Sequence, residues 1–215
     1  MNFIQNIISL ISQYWPLLLR GAGYTLLLSA ITVLGGTFFG TLITLPRLRK
    51  SWYKKIFDGY VEIVRGIPLL VQLFAIMILL PPEWNVLLSV AVALTVNSTA
   101  YISELMRAGI QAVDNGQYEA ARTLGLSHHQ TMFKVILPQA VKNVLPALGN
   151  EFIMVIKETS LASVFFVGDL MTQQQNIMSW TFLAVESYII IAIMYLILTF
   201  SLSKLIRFIE KRLNK

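Results

Sequence analysis

Apolar positions in this chain gather into five long runs, at residues 24–45, 61–80, 84–105, 144–166 and 182–206. Each is close to the roughly 20 residues that carry a helix across the hydrocarbon core of a bilayer. The pattern therefore predicts five transmembrane helices. The first run stops at Pro46, with Arg47, Arg49 and Lys50 directly after it. The second opens on polar turns holding Glu62 and Arg65 and ends at Pro81-Pro82. Ahead of the first run, Phe3, Ile4, Ile7, Ile8, Ile11 and Trp15 recur at helical spacing, with Asn2, Gln5, Asn6, Ser9 and Ser12 between them. That stripe predicts an amphipathic helix over residues 1–20 lying in the membrane interface. The segment has neither a basic start nor a small-residue cleavage site, so it does not read as a signal peptide.

Composition narrows the class. Of 215 residues, 56% are hydrophobic and 13% charged, about half the charged share of a soluble domain. One membrane domain, residues 1–215, is the simplest partition. The net charge of +6 matters through its placement. Arg47, Arg49, Lys50, Lys54 and Lys55 follow the first run, and Arg107, Arg122, Lys134 and Lys142 follow the third. Lys204, Arg207, Lys211, Arg212 and Lys215 close the chain, while the segments at 81–83 and 168–181 hold no Lys or Arg. By the positive-inside rule the basic loops are cytoplasmic. Five spans then alternate consistently, with the N-terminus outside and the C-terminus inside. Such loops suit an anionic membrane surface better than nucleic acid. The absence of cysteine removes disulfides and Cys-ligated metals.

Residues 107–142 form the one long polar segment. Asp114-Asn115-Gly116 signals a turn, and residues 117–124 are helix formers without a breaker. Gly125 suits a left-handed helix C-cap. Ser127 with Gln130 three residues on is a capping-box signature. A short helix, a Gly turn and a second helix reaching Pro138 are predicted. A helix–turn–helix can bind DNA, but a segment pinned to a membrane at both ends is poorly placed to enter a groove. A solvated connector without a role is the other plain reading.

Glu119-Ala120-Ala121, then Gly125, then Ile136-Leu137-Pro138 resembles the EAA loop of ABC-importer permeases over its whole length. Arg65-Gly66-Ile67-Pro68 through Gln72, residues 97–111, Leu148 to Phe152 and Lys157-Glu158-Thr159-Ser160-Leu161 are similar to motifs of the polar amino acid uptake subfamily. The family pattern has Asp where this chain has Glu158. The resemblance implies an all-α type I importer permease fold with a coupling helix between the third and fourth spans. It also implies that Glu119, Ala120, Ala121 and Gly125 meet the ATPase. Implied partners are an ABC ATPase dimer carrying ATP and Mg, a second permease subunit (identical or paralogous) and an extracytoplasmic amino-acid-binding protein. The chain has no G-x-x-x-x-G-K-[ST] motif, so nucleotide chemistry is expected on a separate subunit and this chain is expected not to be an enzyme. No metal site is expected.

Ionisable and amide side chains inside a span are costly and mark candidate sites. Asn97, Tyr101 and Glu104 share a face of the third run. Glu151 and Glu158, seven apart in the fourth, lie about 20° from alignment. A carboxylate suits the α-ammonium of an amino acid, and Asn97 can bond either end of one. These five residues are the expected substrate contacts, and the extra acids lean toward arginine, lysine or histidine over glutamine or glutamate. Plainer readings have Lys157 neutralising a neighbouring carboxylate, Glu151 and Glu104 (the latter beside Arg107) at headgroup level, and Arg65 with Glu62 locking the second span. Pro68 and Pro146, with Gly66 and Gly149, mark places where a helix could break along a transport path. An ion-coupled secondary transporter is the competing function. It would usually carry an internal repeat, and five spans divide badly in two. A membrane scaffold would not need aligned carboxylates.

Overall fold

The computed structural model of the protein describes residues 2–48 and 51–213, so Arg49, Lys50 and Lys215 of the predicted basic clusters lie outside the described residues. The fold is all-helical among those residues. α1 spans Phe3–Arg47, α2 Lys54–Gly66, α3 Leu69–Leu79 and α4 Val86–Gln111. α5 spans Asn115–Thr123 and α6 His128–Gln130, and a π-helical turn, Thr131–Ile136, leads into α7, Leu137–Glu158. A 3-10 turn, Thr159–Phe165, then α8, Leu170–Thr181, and α9, Ala184–Leu213, complete the chain.

α4 is the central helix. It packs against α1, α2, α3 and α7, and its interface with α1 is the largest in the molecule. The reason lies in a stripe of small residues. Gly21, Thr25, Ser29, Thr32, Gly36, Gly40 and Thr44 recur every three or four positions along one side of α1, and all are buried. Gly36, Gly40 and Thr44 meet α4, whereas Gly21 and Thr25 meet the start of α8. Small side chains let two helices approach closely where lipid removes the hydrophobic drive between them. At Gly40 a β-carbon would stand 3.1 Å from the Ser103 amide nitrogen and 3.2 Å from the Thr99 carbonyl oxygen of α4. Thr44 Oγ1 donates to the Gly40 carbonyl at 2.7 Å, so its hydroxyl does not go unsatisfied in the contact.

The first expected boundary is absent. α1 runs unbroken for 45 residues, about 68 Å of helix, so residues 3–20 are continuous with the first run. Of that apolar stripe, Phe3, Ile4, Ile8, Ile11 and Trp15 are exposed. A different side of the helix meets protein: Leu10 and Leu18 pack with Leu170, Ile177, Ile190 and Ile191 of α8 and α9, and Ile7 lies against them. Asn6 Nδ2 donates to Glu186 of α9 at 2.9 Å.

The second run breaks. α2 and α3 meet at 112°. Pro68 has no N–H and pushes the residue before it out of helical geometry, and Ile67 is extended (φ −102°, ψ 133°). Gly66 and Pro68 were the sequence signal for this, but α3 alone, 11 residues, is too short to span. Three described helices, α1, α4 and α9, are long and apolar enough to cross a membrane, and the bent pair brings the number to four at most. α7 covers most of the fourth predicted span and is 22 residues long, but it carries Lys142, Asn143, Asn150, Glu151, Lys157 and Glu158, so length and apolarity alone do not confirm the count of five.

Two more boundaries differ. The helix that opens at Ser127 does not stop at Pro138; it continues through the π turn into α7 and ends at Glu158. Pro138 cannot donate backward and crowds the preceding turn. The wider π turn just before it absorbs that defect without ending the helix. The 168–181 segment, expected as a loop, contains α8, capped by Asp169, whose carboxylate accepts from the Met171 amide at 3.0 Å.

Candidate substrate and coupling sites

The break between α2 and α3 leaves carbonyls that a continuous helix would satisfy. Gln72 closes it. Its Nε2 donates to the Val64 and Ile67 carbonyls, each at 2.7 Å. Its Oε1 accepts from Asn97 Nδ2 of α4 at 3.2 Å. Asn97 is therefore buried and clasps the broken segment to the central helix. The next residue, Ser98, donates to Glu151 Oε1 of α7 at 3.2 Å. Asn97 thus turns to α3, while its neighbour Ser98 turns to α7 and Glu151. Glu158, half-buried, follows two turns along α7.

Glu151 is buried, and none of the ion pairs among the described residues involves it. A buried carboxylate held only by a hydroxyl is expensive unless a cation or proton joins it. Lys157 does not pair with Glu151: it is exposed and makes none of those ion pairs, and its charge acts instead on the adjacent Glu158. Tyr101 presents its ring to Arg65, whose guanidinium carbon is 5.4 Å from the centroid. With the Tyr60 hydroxyl donating to the Val96 carbonyl at 2.7 Å, this ties α2 to α4, and Arg65 locks the second segment, the plainer of its two readings.

Glu104 is placed apart from the other acids. Arg47 Nη2 donates to its Oε2 at 2.8 Å, and Arg107 donates to both of its oxygens, from Nε to Oε2 at 3.1 Å and from Nη2 to Oε1. Two guanidiniums occupy this carboxylate, so it is not a free acceptor for a substrate ammonium. Sequence reasoning had noticed Arg107 nearby but not Arg47, 57 positions away. It also passed over Gln72 and Ser98, although a lone amide within Leu-Leu-Val-Gln-Leu-Phe was a usable signal.

Two apolar grooves, of about 600 Å³ between α1, α2 and α4 and about 240 Å³ between α1, α4 and α7, are lined by none of Asn97, Glu151 or Glu158.

The α5 region matches its sequence signals closely. Asp114 caps the helix, accepting from the Gly116 amide at 2.8 Å. At the other end Gly125 has φ +78°. Leu126 N donates to the Ala121 carbonyl at 3.1 Å and Gly125 N to the Arg122 carbonyl at 2.9 Å, the paired bonds of a Schellman cap. Ser127 and Gln130 form the reciprocal capping box, at 2.9 and 3.2 Å. Glu119, Ala120 and Gly125 are exposed, whereas Ala121 is buried and turned into the fold. Tyr118 packs beside Val113 and Ile136, and that burial pushes its phenol pKa up. Leu124 is 81% exposed, a large apolar side chain offered outward at the helix end.

A non-glycine residue at Gly125 must adopt the left-handed region, at about 1–2 kcal/mol. Gly125→Ala is therefore expected to raise the amide exchange rates at positions 125 and 126 roughly tenfold, leaving those of α4 unchanged. Hydrogen exchange followed by mass spectrometry reads this directly.

Comparison with known proteins agrees with this geometry. Residues 33–215 match the family described as binding-protein-dependent transport system inner membrane component. The chain is 40% identical to the L-cystine transport system permease protein TcyB of Bacillus subtilis, covering 94% of this chain and 89% of that one. It is 37% identical to the glutamine transport system permease protein GlnP of Escherichia coli K12, covering 94% and 97%. A solved amino acid ABC transporter, crystallised with histidines, has a chain that superposes with a TM-score of 0.91 at 41% identity, covering 99% of each. Family, relatives and fold coincide: this chain belongs to the binding-protein-dependent inner membrane permeases, in the branch that serves amino acid ABC importers.

Proposed function

We propose that the chain is the translocation subunit of an ATP-driven importer of polar amino acids, with Glu151 as the residue that receives the substrate's α-ammonium. The observation carrying this is a buried carboxylate without a cationic partner, bonded to Ser98 in a chain whose relatives are amino acid permeases. An incoming ammonium supplies the missing charge. Glu158, farther along the same face, suits a second cation, which favours arginine, lysine or histidine. The Gln72–Asn97 clasp holds the broken segment beside the site, and Tyr101 forms its flank.

The energy enters elsewhere. α5, with Glu119, Ala120 and Leu124 outward and Gly125 ending it, is the element that docks into a separate ATPase dimer, on which ATP and Mg reside. A second permease subunit faces the Glu151 side and closes the path. An extracytoplasmic binding protein delivers substrate, and the chain lies with its N-terminus outside and its C-terminus inside. Two arrangements of the helices, biased by nucleotide and substrate, are sufficient for transport.

A glutamine permease is the second reading, favoured by the relatives bearing that name. Uptake of labelled arginine, histidine, glutamine and cystine into proteoliposomes holding the complete complex separates the two. Glu151→Gln is expected to lower uptake of every substrate at least tenfold, about 1.4 kcal/mol or more. Glu158→Gln is expected to lower uptake of the basic ones selectively. Unchanged uptake in Glu151→Gln would remove the site assignment. A glutamine preference that Glu158→Gln leaves untouched would decide for the second reading.

A further inference from the structure

The largest charge cluster of the described residues lies outside the proposed substrate site, where the ends of α1, α2 and α4 meet. Arg47, the last residue of α1, has only 6% of its surface exposed. It donates three hydrogen bonds to two other helices. Nε reaches Asp58 Oδ1 of α2 at 2.8 Å. Nη1 reaches Ser103 Oγ and Nη2 reaches Glu104 Oε2, both of α4, at 2.9 and 2.8 Å. Arg107 takes the other side of Glu104 and extends along α4 to Gln111 Oε1 at 2.5 Å. Gln111 is the last residue of α4, four positions before α5 begins.

The neighbouring contacts are stiff. Asn143 Nδ2 of α7 donates to the Gly109 carbonyl at 3.4 Å, and a β-carbon on Gly109 would run into Val144. The end of α4 thus moves with the start of α7, and α5 is packed on the π turn between them. On the other side, α2 ends at the Gly66–Pro68 break, whose carbonyls Gln72 bridges while bonded to Asn97. One planar guanidinium therefore joins the unit bearing α5 to α2, the first arm of the broken segment. A guanidinium can fork to two carboxylates at once, which a single ammonium does poorly.

We infer that Arg47 is a positioning residue of the transport cycle: it makes α2 move with the α4–α5 unit, so that motion of α5 reaches the α2–α3 break. The inference rests on the reading of α5 as the ATPase docking helix. It assigns Arg47, Asp58 and Glu104 to coupling rather than to substrate.

The test uses the full chain in its assembled complex. Arg47→Gln, Asp58→Asn and the double variant are reconstituted in proteoliposomes, and ATP hydrolysis and amino acid uptake are measured together. Expected are continued hydrolysis and uptake per ATP lowered about tenfold in each single variant, with no further loss in the double. Arg47→Lys, which keeps the charge but not the fork, is expected to remain well below wild type. Unchanged uptake per ATP in Arg47→Gln, a proportional fall of both rates, or losses that add in the double variant would each overturn the inference. A second measurement is independent of transport. The chain has no cysteine, so spin labels at Ile63→Cys of α2 and Ala108→Cys of α4, both exposed positions, report the α2–α4 distance in the permease. Arg47→Gln should broaden that distribution, and an unaltered one overturns the joint. A wild-type complex without ATP-driven uptake would instead sink the parent reading, leaving the spin-label result to decide whether the joint exists.

Discussion

Gly40→Leu is expected to yield no folded permease. A β-carbon there already meets backbone atoms of Ser103 and Thr99 at 3.1 and 3.2 Å, and backbone cannot rotate aside as a side chain can. Three further carbons would have to force α1 and α4 apart along their whole shared face. Overpacking of this kind costs about 3 kcal/mol or more, a large share of a typical total stability of about 5–15 kcal/mol. It would also pull Arg47 away from Glu104, since both lie within about two turns of Gly40. Gly23→Leu is the control: a β-carbon at Gly23 has nothing within 4 Å. Size-exclusion profiles and thermal midpoints in detergent should separate the two, with Gly23→Leu monodisperse near wild type and Gly40→Leu aggregated or absent. A monodisperse Gly40→Leu of normal midpoint would mean that the two helices do not approach as described.

Glu119→Lys is expected to abolish ATP-driven uptake while leaving the permease intact. The Glu119 side chain is exposed and makes no hydrogen bond or ion pair among the described residues; only its carbonyl is used, accepting from Thr123 Oγ1 at 3.0 Å. Its removal therefore has little to disturb inside the chain. If it meets a cation on the ATPase, reversing its charge loses about 2–5 kcal/mol of association, a roughly thirty-fold to several-thousand-fold weaker complex. Co-purification of the ATPase with each variant, beside the permease's own thermal midpoint, is the measurement. Normal co-purification with Glu119→Lys would move the docking surface elsewhere on α5.

The contrast between these two sites shows what a sequence makes legible. The turn after α5 was readable because its physics is local. Gly125, Ser127 and Gln130 lie within six positions, and each has one reason to be there. The break at Gly66–Pro68 was readable for the same reason. The small-residue stripe of α1 was readable in principle, but inside an apolar run Gly36 and Gly40 look like ordinary membrane-helix residues until a partner helix is known. The continuity of α7 was hidden because Pro138 and a polar first half imitate a boundary, and only the π turn shows how the helix survives. α8 was hidden because Gln173-Gln174-Gln175 reads as solvated, while Gln173 and Gln174 are in fact buried. The role of Glu104 was the hardest to see. Asn97, Tyr101 and Glu104 do share a helix face, but Arg47 arrives from another helix, and such pairing depends on how the helices are assembled.

The unbroken first helix has a consequence for how the molecule comes into being. Leu10 and Asn6 find their partners in Ile190, Ile191 and Glu186, about 180 residues downstream. At ordinary translation rates of roughly 5–20 residues per second, those partners emerge some 10–40 s after the segment that needs them. During that interval Leu10 and Leu18 have no protein to cover them. The nascent chain must shelter them at the membrane surface, so the first part of the helix to be synthesised is among the last to reach its final packing.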